Sequence, residues 1–316
     1  MNSYQINKRI FSKLLIGTLL APSISAGKLL NQNNGKLLII GGAEDRLNEK
    51  IILKKFIELS GGLTAKLKFI LTASSAPTTA WESYSKVFNQ LGAKNVEAIP
   101  LLTKDDANRP EVLSSIKEAE GIFMTGGDQS RLMMQLWETS AFQAIHKVFH
   151  EKGICIAGTS AGAAVMSRQM IAQGKADIFT EKDIVSFDLG LGLVNMAIID
   201  QHFSQRRRLT RLLSALAQRP ELLGVGIDEN TGLVIKINEY IEVIGDGSVT
   251  IVDARKMISN YDEIESHEKL EMLGVQLHLL PSGRIYFANS KIQKSTAVPK
   301  LLDAINILVR PGPNRI

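Results

Sequence analysis

The chain has 316 residues, 45% hydrophobic and 22% charged, the composition of an ordinary globular protein with enough apolar material for one large domain or two. Its formal charge is +5, but Lys8, Arg9 and Lys13 lie in an acid-free leader and account for three of those charges, so the remainder carries no nucleic-acid footprint. Cys155 is the single cysteine, which excludes an intrachain disulfide framework and a thiolate metal cluster.

Taken in chain order, the three leader cations precede an apolar stretch at 14–21 and the small residues Ala21-Pro22-Ser23-Ile24-Ser25-Ala26. That is the order of a secretory signal, so residues 1–26 are predicted to be a signal peptide of a secreted or periplasmic protein, the cytoplasm being the alternative. No later stretch reaches the ~18 to 20 apolar residues needed to span a bilayer, so no stable membrane insertion is expected. A polar linker over 27–35 follows. From Lys36 apolar runs alternate with helical patterns: strands at 36–40, 69–73, 96–101 and 121–124, helices at 81–91 and 111–118. This alternation predicts an α/β fold with a mostly parallel, doubly wound sheet, whose ligands gather outside the carboxyl ends of the strands.

Three strand ends finish in unusual ways: Gly41-Gly42, Gly126-Gly127, and Gly158-Thr159-Ser160-Ala161-Gly162 after the apolar Ile154-Cys155-Ile156-Ala157. A Gly-x-Ser-x-Gly between a buried strand and a helix reads as a nucleophile elbow. It exposes the serine hydroxyl and aims the next residue's N–H, that of Ala161, at a developing oxyanion. The competing reading is a tight turn of small residues. Ser160 is the candidate nucleophile.

A serine needs a base, and the histidines are His146, His150, His202, His267 and His278. His146 and His150 are four apart on one helix, but no third metal ligand is evident, and they read as a solvated helix face. His202 follows the apolar run 196–199, where a strand ends in Asp200-Gln201-His202-Phe203. Arg206-Arg207-Arg208 and Arg211 come next, opening a helix to about residue 218, where arginines oppose the helix dipole unless an anionic ligand offsets them. Glu229, in Gly226-Ile227-Asp228-Glu229, is a candidate carboxylate partner. Beyond residue 222 short strands read as an antiparallel extension of the sheet. A hairpin is predicted from 275–280 and 284–288 joined by Pro281-Ser282-Gly283. A conventional α/β-hydrolase order, Asp253 then His278, fits poorly, because His278 sits in an alternating strand and reads as structural.

Together the segments Gly126 to Leu132, Gly158 to Ala163, Asp200 to Phe203 with Arg206, Arg208 and Arg211, and Gly226 to Glu229 resemble the cyanophycinases, within the serine peptidase family that also contains aspartyl dipeptidase. The resemblance runs from about residue 36 to 255. It implies a class I glutamine-amidotransferase-like fold, a homodimer, and hydrolysis of cyanophycin to β-aspartyl-arginine dipeptides. Cyanophycin is a poly-aspartate chain bearing arginine on each side-chain carboxyl. By the same resemblance Ser160, His202 and Glu229 would be catalytic, and Gly127 and Ala161 would form the oxyanion hole. Gln129, Asp200, Gln201, Arg206, Arg208 and Arg211 would bind substrate. Arginines suit the free carboxylates of such a polymer, and an acid such as Asp200 suits its guanidiniums.

On this reading residues 36–255 form an α/β serine hydrolase domain and 256–316 a C-terminal extension packed on it. The leader departs from the cytoplasmic members of the family. The rival functions are an aspartyl or isoaspartyl dipeptidase and a non-catalytic polymer-binding protein. No metal and no organic cofactor is expected, since there is neither a phosphate loop nor a clustered set of His and Cys.

Overall fold

The structure, a computed structural model, describes residues 35–174, 176, 179–288 and 299–312. The predicted signal peptide, and all of the predicted linker except Gly35, lie outside the described residues. The elements in chain order are β1 (Lys36–Ile40), α1 (Ile51–Leu59), β2 (Lys66–Ile70), α2 (Pro77–Gln90), β3 (Asn95–Ala98), α3 (Pro110–Glu118), β4 (Gly121–Met124), α4 (Gln129–Leu136), α5 (Ser140–Lys147), β5 (Cys155–Thr159) and α6 (Ala161–Ala164). Then follow β6 (Gln169–Gly174), β7 (Val185–Leu189), β8 (Ala197–Gln201), α7 (Leu209–Gln218), β9 (Leu223–Ile227), β10 (Thr231–Lys236), β11 (Tyr240–Gly245) and β12 (Ser248–Asp253). Last come β13 (Ile258–Ser259), β14 (Met272–Leu273), β15 (Gln276–Pro281), β16 (Arg284–Phe287) and α8 (Pro299–Leu308).

The main sheet has the order β16-β11-β10-β1-β5-β4-β2-β3. Its five strands from β1 to β3 are mutually parallel, whereas β10, β11 and β16 extend the β1 edge antiparallel. Both faces are buried, and the period-2 alternation of a strand assigns residues to each. In β1, Leu38 and Ile40 join Phe56 of α1 and Tyr84 and Phe88 of α2 on one face. Leu37 and Ile39 join Val112 and Ile116 of α3, Ile145 of α5 and Ile305 of α8 on the other. Phe69 and Phe123 stack at 5.2 Å between ring centres, with Phe56 and Phe88 edge-on to both, so the first face is an aromatic block.

In the C-terminal half, the antiparallel extension expected beyond residue 222 is formed by β10, β11 and β16, while β9, β12 and β15 join β8 in a second, four-stranded sheet in the order β15-β12-β9-β8, with β8 and β9 parallel. Leu212, Ala215 and Leu216 of α7 pack on Ile198 and Val252 of this sheet. One expectation here is corrected: residues 275–280 and 284–288 do not pair as a hairpin. β15 pairs with β12, and β16 with β11. β11 with β12 and β15 with β16 are in effect two long antiparallel strands, 240–253 and 276–287, each bent at a corner where it leaves one sheet for the other. Gly245 (φ 94°) and Gly283 (φ 78°) occupy those corners, and the Gly283 N–H still donates to the Val243 carbonyl at 2.8 Å. A Pro-Ser-Gly run signals a change of direction equally for a hairpin and for a strand switching sheets, so sequence did not separate them.

Candidate active site

Ser160 stands between β5 and α6 with φ 53° and ψ −111°, a backbone conformation costly for a residue with a Cβ. The elbow is closed by contact. A Cβ on Gly158 would lie 2.2 Å from the Gly162 carbonyl oxygen, and one on Gly162 would lie 2.3 Å from that of Met124. No larger residue fits either place. The Gly126-Gly127 turn after β4 runs alongside: a Cβ on Gly126 would come within 3.3 Å of Ser160 Cβ and 3.9 Å of its Oγ. Ala161 opens α6, so its N–H belongs to the first turn, where no intrahelical carbonyl is available.

His202 arrives from the second sheet. β8 and β9 are parallel with Gln201 opposite Ile227, so the residues just past both strands emerge side by side at one end. His202 follows Gln201, and Glu229 lies two residues beyond Ile227. The imidazole Nε2 is 2.9 Å from Ser160 Oγ and Nδ1 is 2.6 Å from Glu229 Oε1. A carboxylate accepts only, so Nδ1 carries the hydrogen and Nε2 faces the serine as acceptor. Burial lowers the His202 pKa below the ordinary 6.5, with Arg206 and Arg208 adding to the effect and Glu229 opposing it. His202 is therefore neutral at pH 7, the form a general base requires.

Asp228 fixes both loops. Its Oδ1 accepts from the Ser204 N–H at 3.1 Å, and its Oδ2 accepts from the N–H and hydroxyl of Ser248 at 3.1 and 3.0 Å. Gln205 Oε1 accepts from the Glu229 N–H at 3.0 Å. Neither brace has a sequence signal beyond its position next to a candidate residue.

The pocket residues separate into two groups. Asp200 is fully buried. Its Oδ1 accepts from Arg208 at 3.1 Å and from Arg211, and its Oδ2 accepts from Arg211 Nε at 3.0 Å. Gln201 presents its backbone and side-chain oxygens to Arg208 at 2.7 and 2.6 Å. Arg211 also donates to the Gly174 carbonyl at 3.1 Å, and Gln129 Nε2 to those of Ile171 and Ala172 at 3.1 Å each, so both side chains brace β6. Arg206 is exposed beside them. The suggestion that Asp200 receives a substrate guanidinium is thus revised, because its carboxylate is occupied by this chain's own arginines and a substrate group would have to displace one. Three guanidiniums against that one carboxylate leave the region cationic. Burial lowers Arg208 to about 10, still charged at neutral pH.

The reading of His146 and His150 as a solvated face is corrected as well. His146 is fully buried on α5, its ring 4.7 Å from that of Phe142 and its Nε2 donating to the Leu191 carbonyl at 2.8 Å. His146 lies on the face that α5 turns to the core, and His150, in the helical turn that follows α5, is half-buried. Among the described residues there is no group of three or more His, Cys, Asp or Glu able to hold a metal ion, and no helix long and apolar enough to cross a membrane. Asp253 is held by Arg255 through two bonds of 2.9 and 2.6 Å, and its carboxylate is committed there rather than to His278.

Comparison with known proteins places this site in context. The profile of peptidase family S51 matches residues 37–243. A protein from Geminocystis herdmanii named cyanophycinase is 39% identical over 251 residues, covering 79% of this chain and 92% of that one. Another of that name from Synechococcus elongatus is 38% identical over 272 residues, covering 85% and 84%. Among solved structures, a peptidase from an acI-B1 actinobacterium superposes with a TM-score of 0.57 at 23% identity, covering 80% of this chain and 97% of that one, a likeness of fold.

Proposed function

This chain belongs to peptidase family S51, and from that premise we propose that it is a serine-type hydrolase that degrades cyanophycin to β-aspartyl-arginine dipeptides. The observation that carries the mechanism is the continuous relay from Ser160 Oγ through His202 to Glu229, with hydrogen bonds of 2.9 and 2.6 Å.

His202 Nε2 takes the Ser160 proton as the hydroxyl attacks the main-chain carbonyl between two aspartates. The oxyanion is received by the N–H groups of Gly127 and Ala161, each contributing roughly 3 to 4 kcal/mol to the transition state. His202 then gives its proton to the departing amine, which breaks the C–N bond and leaves an acyl-enzyme. Water repeats the sequence, with His202 again as base. Glu229 holds the tautomer and stabilises the imidazolium. Arg206, Arg208 and Arg211 supply positive charge to the carboxylates of the substrate, and Asp200 keeps two of them in place. A pocket so charged rejects ordinary peptides, which would leave its buried groups unpaired.

The leader pattern supports export, and the family resemblance a homodimer. Intact mass and light scattering of protein recovered outside the cell test both. The central experiment incubates purified protein and its Ser160→Ala variant with cyanophycin and identifies soluble products by mass. Dipeptide is expected from the parent, with the rate falling by about 10⁴-fold or more in the variant. Polymer bound without products, or activity on dipeptides alone, would overturn the assignment.

A further inference from the structure

One buried charge at the site has no place in the mechanism above. Glu44, in the loop after β1, has a side chain with no solvent exposure. Its Oε1 accepts from the Tyr84 hydroxyl at 2.6 Å and from Arg46 at 2.8 and 3.1 Å. Its Oε2 accepts from the hydroxyl of Thr159, the residue immediately before Ser160, at 2.5 Å. Arg46 in turn lies over the Tyr84 ring, 4.2 Å from its centre. Burial, with Glu44 beside it, pushes the Tyr84 pKa well up, so the phenol remains a donor.

The backbone at the end of β1 and at the start of this loop bonds to each of the three segments that carry the relay. The Ile40 carbonyl accepts from the Ser160 N–H at 3.0 Å, that of Gly41 from the His202 N–H at 2.7 Å, and that of Gly42 from the N–H of Asn230, next to Glu229, at 2.8 Å. The Asp45 N–H in turn donates to the Asn230 Oδ1 at 2.8 Å. Gly42 (φ 101°) lies flat under the imidazole: a Cβ there would be 2.3 Å from His202 Cε1. Ala43, at φ 48°, is a strained residue that persists only where its surroundings fix it.

A buried ion cluster is a poor device for stability, since its desolvation cost consumes most of its Coulombic gain. Three consecutive carbonyls bonded to the N–H groups of Ser160, of His202 and of the residue that follows Glu229 are, by contrast, an efficient device for alignment. We infer that the loop from Ile40 to Arg46 sets the alignment of Ser160, His202 and Glu229, and that Glu44 is the positioning residue that locks this loop to the nucleophile strand. This rests on the acyl-transfer reading above, and adds to it a residue that touches neither substrate nor the reacting atoms.

The test compares the full-length parent with Glu44→Gln and Thr159→Val. It measures the rate at which a fluorophosphonate labels Ser160, then kcat and KM on cyanophycin per labelled site, alongside thermal melts. Glu44→Gln is expected to slow both labelling and kcat by about tenfold or more with KM within twofold of the parent, and Thr159→Val to slow them several-fold. A folded Glu44→Gln that labels and turns over at the parental rate per site would overturn the inference. So would losses that merely track the unfolded fraction. If Glu44→Gln does not fold, Thr159→Val decides on the same criterion. A parent that labels at Ser160 but releases no dipeptide defeats the substrate assignment alone, and the labelling rates still decide the role of Glu44. A parent that does not label at Ser160 defeats both.

Discussion

His202 is subject to two opposed demands. It must be neutral to accept a proton, and it must tolerate charge once it has done so. Burial and the neighbouring arginines serve the first, and the bond to Glu229 serves the second. The acid limb of kcat/KM is therefore expected below the ordinary histidine value of 6.5: activity is present above that pKa and lost as pH falls through it, because protonation of Nε2 removes the base. Glu229→Gln removes the group that raises this pKa and fixes the tautomer. It is expected to cost about 10³ to 10⁴-fold in kcat, with the residual acid limb displaced further down in pH. Glu229 is itself partly exposed, its side chain at 35%, so it orients the ring without the burial of Asp200. A pH–rate profile on parent and variant checks both expectations, and an unmoved limb in Glu229→Gln would remove Glu229 from the relay.

At the level of elements, the site is a meeting of strand ends. β5 delivers the serine, β4 the Gly126-Gly127 turn, β8 the histidine, β9 the carboxylate, and β1 the loop that bonds to three of these arrivals. The tolerance at these junctions is a fraction of an ångström. Gly42→Ala is the expected demonstration, because its methyl group meets the His202 ring in a backbone conformation that already disfavours a Cβ. A fall in kcat of about 10²-fold, with KM little changed, is the result expected from a displacement of the ring by an ångström. An equal fall in kcat/KM carried entirely by KM would place the effect in substrate binding. Sequence made these elements legible where chemistry and chain proximity coincide, as in the elbow and in Asp200 to Phe203. It did not reveal Glu44, whose partners Tyr84 and Thr159 lie 40 and 115 residues away.

In the whole molecule the two sheets are joined by the strands that bend from one into the other, and the C-terminal helix closes the arrangement. α8 sends Ala304 and Ile305, both fully buried, into the core under the main sheet. It is tied down by the Arg255–Asp303 ion pair at 2.7 Å and by the Asn238 N–H bonded to the Val309 carbonyl at 2.8 Å. Ile305→Ala is expected to cost about 2 to 5 kcal/mol of stability in urea unfolding while kcat per folded molecule is unchanged, since α8 packs on β11 and β16, which carry none of the proposed site residues. A loss below about 1 kcal/mol would mean that α8 is dispensable to the core. His146 and His150 give the converse lesson at this scale: two polar rings four residues apart were read as a solvated face, and packing buried the first of them, on α5, completely.

The sequence by itself determined what local rules govern. Alternating strand and helix patterns specified the parallel core, and paired glycines marked the places where backbone had to approach backbone. The elbow identified the serine because only that geometry exposes a hydroxyl at a strand end. Tertiary structure alone decided which long-range partners meet: that β8 and β9 leave the main sheet, that β15 and β16 turn a corner instead of a hairpin, and that Asp200 spends its charge on Arg208 and Arg211. The physical reason is that strand pairing and ion pairing depend on distance in space. A one-dimensional pattern records each residue's preference for burial or charge, and the fold selects which of the available partners satisfies it.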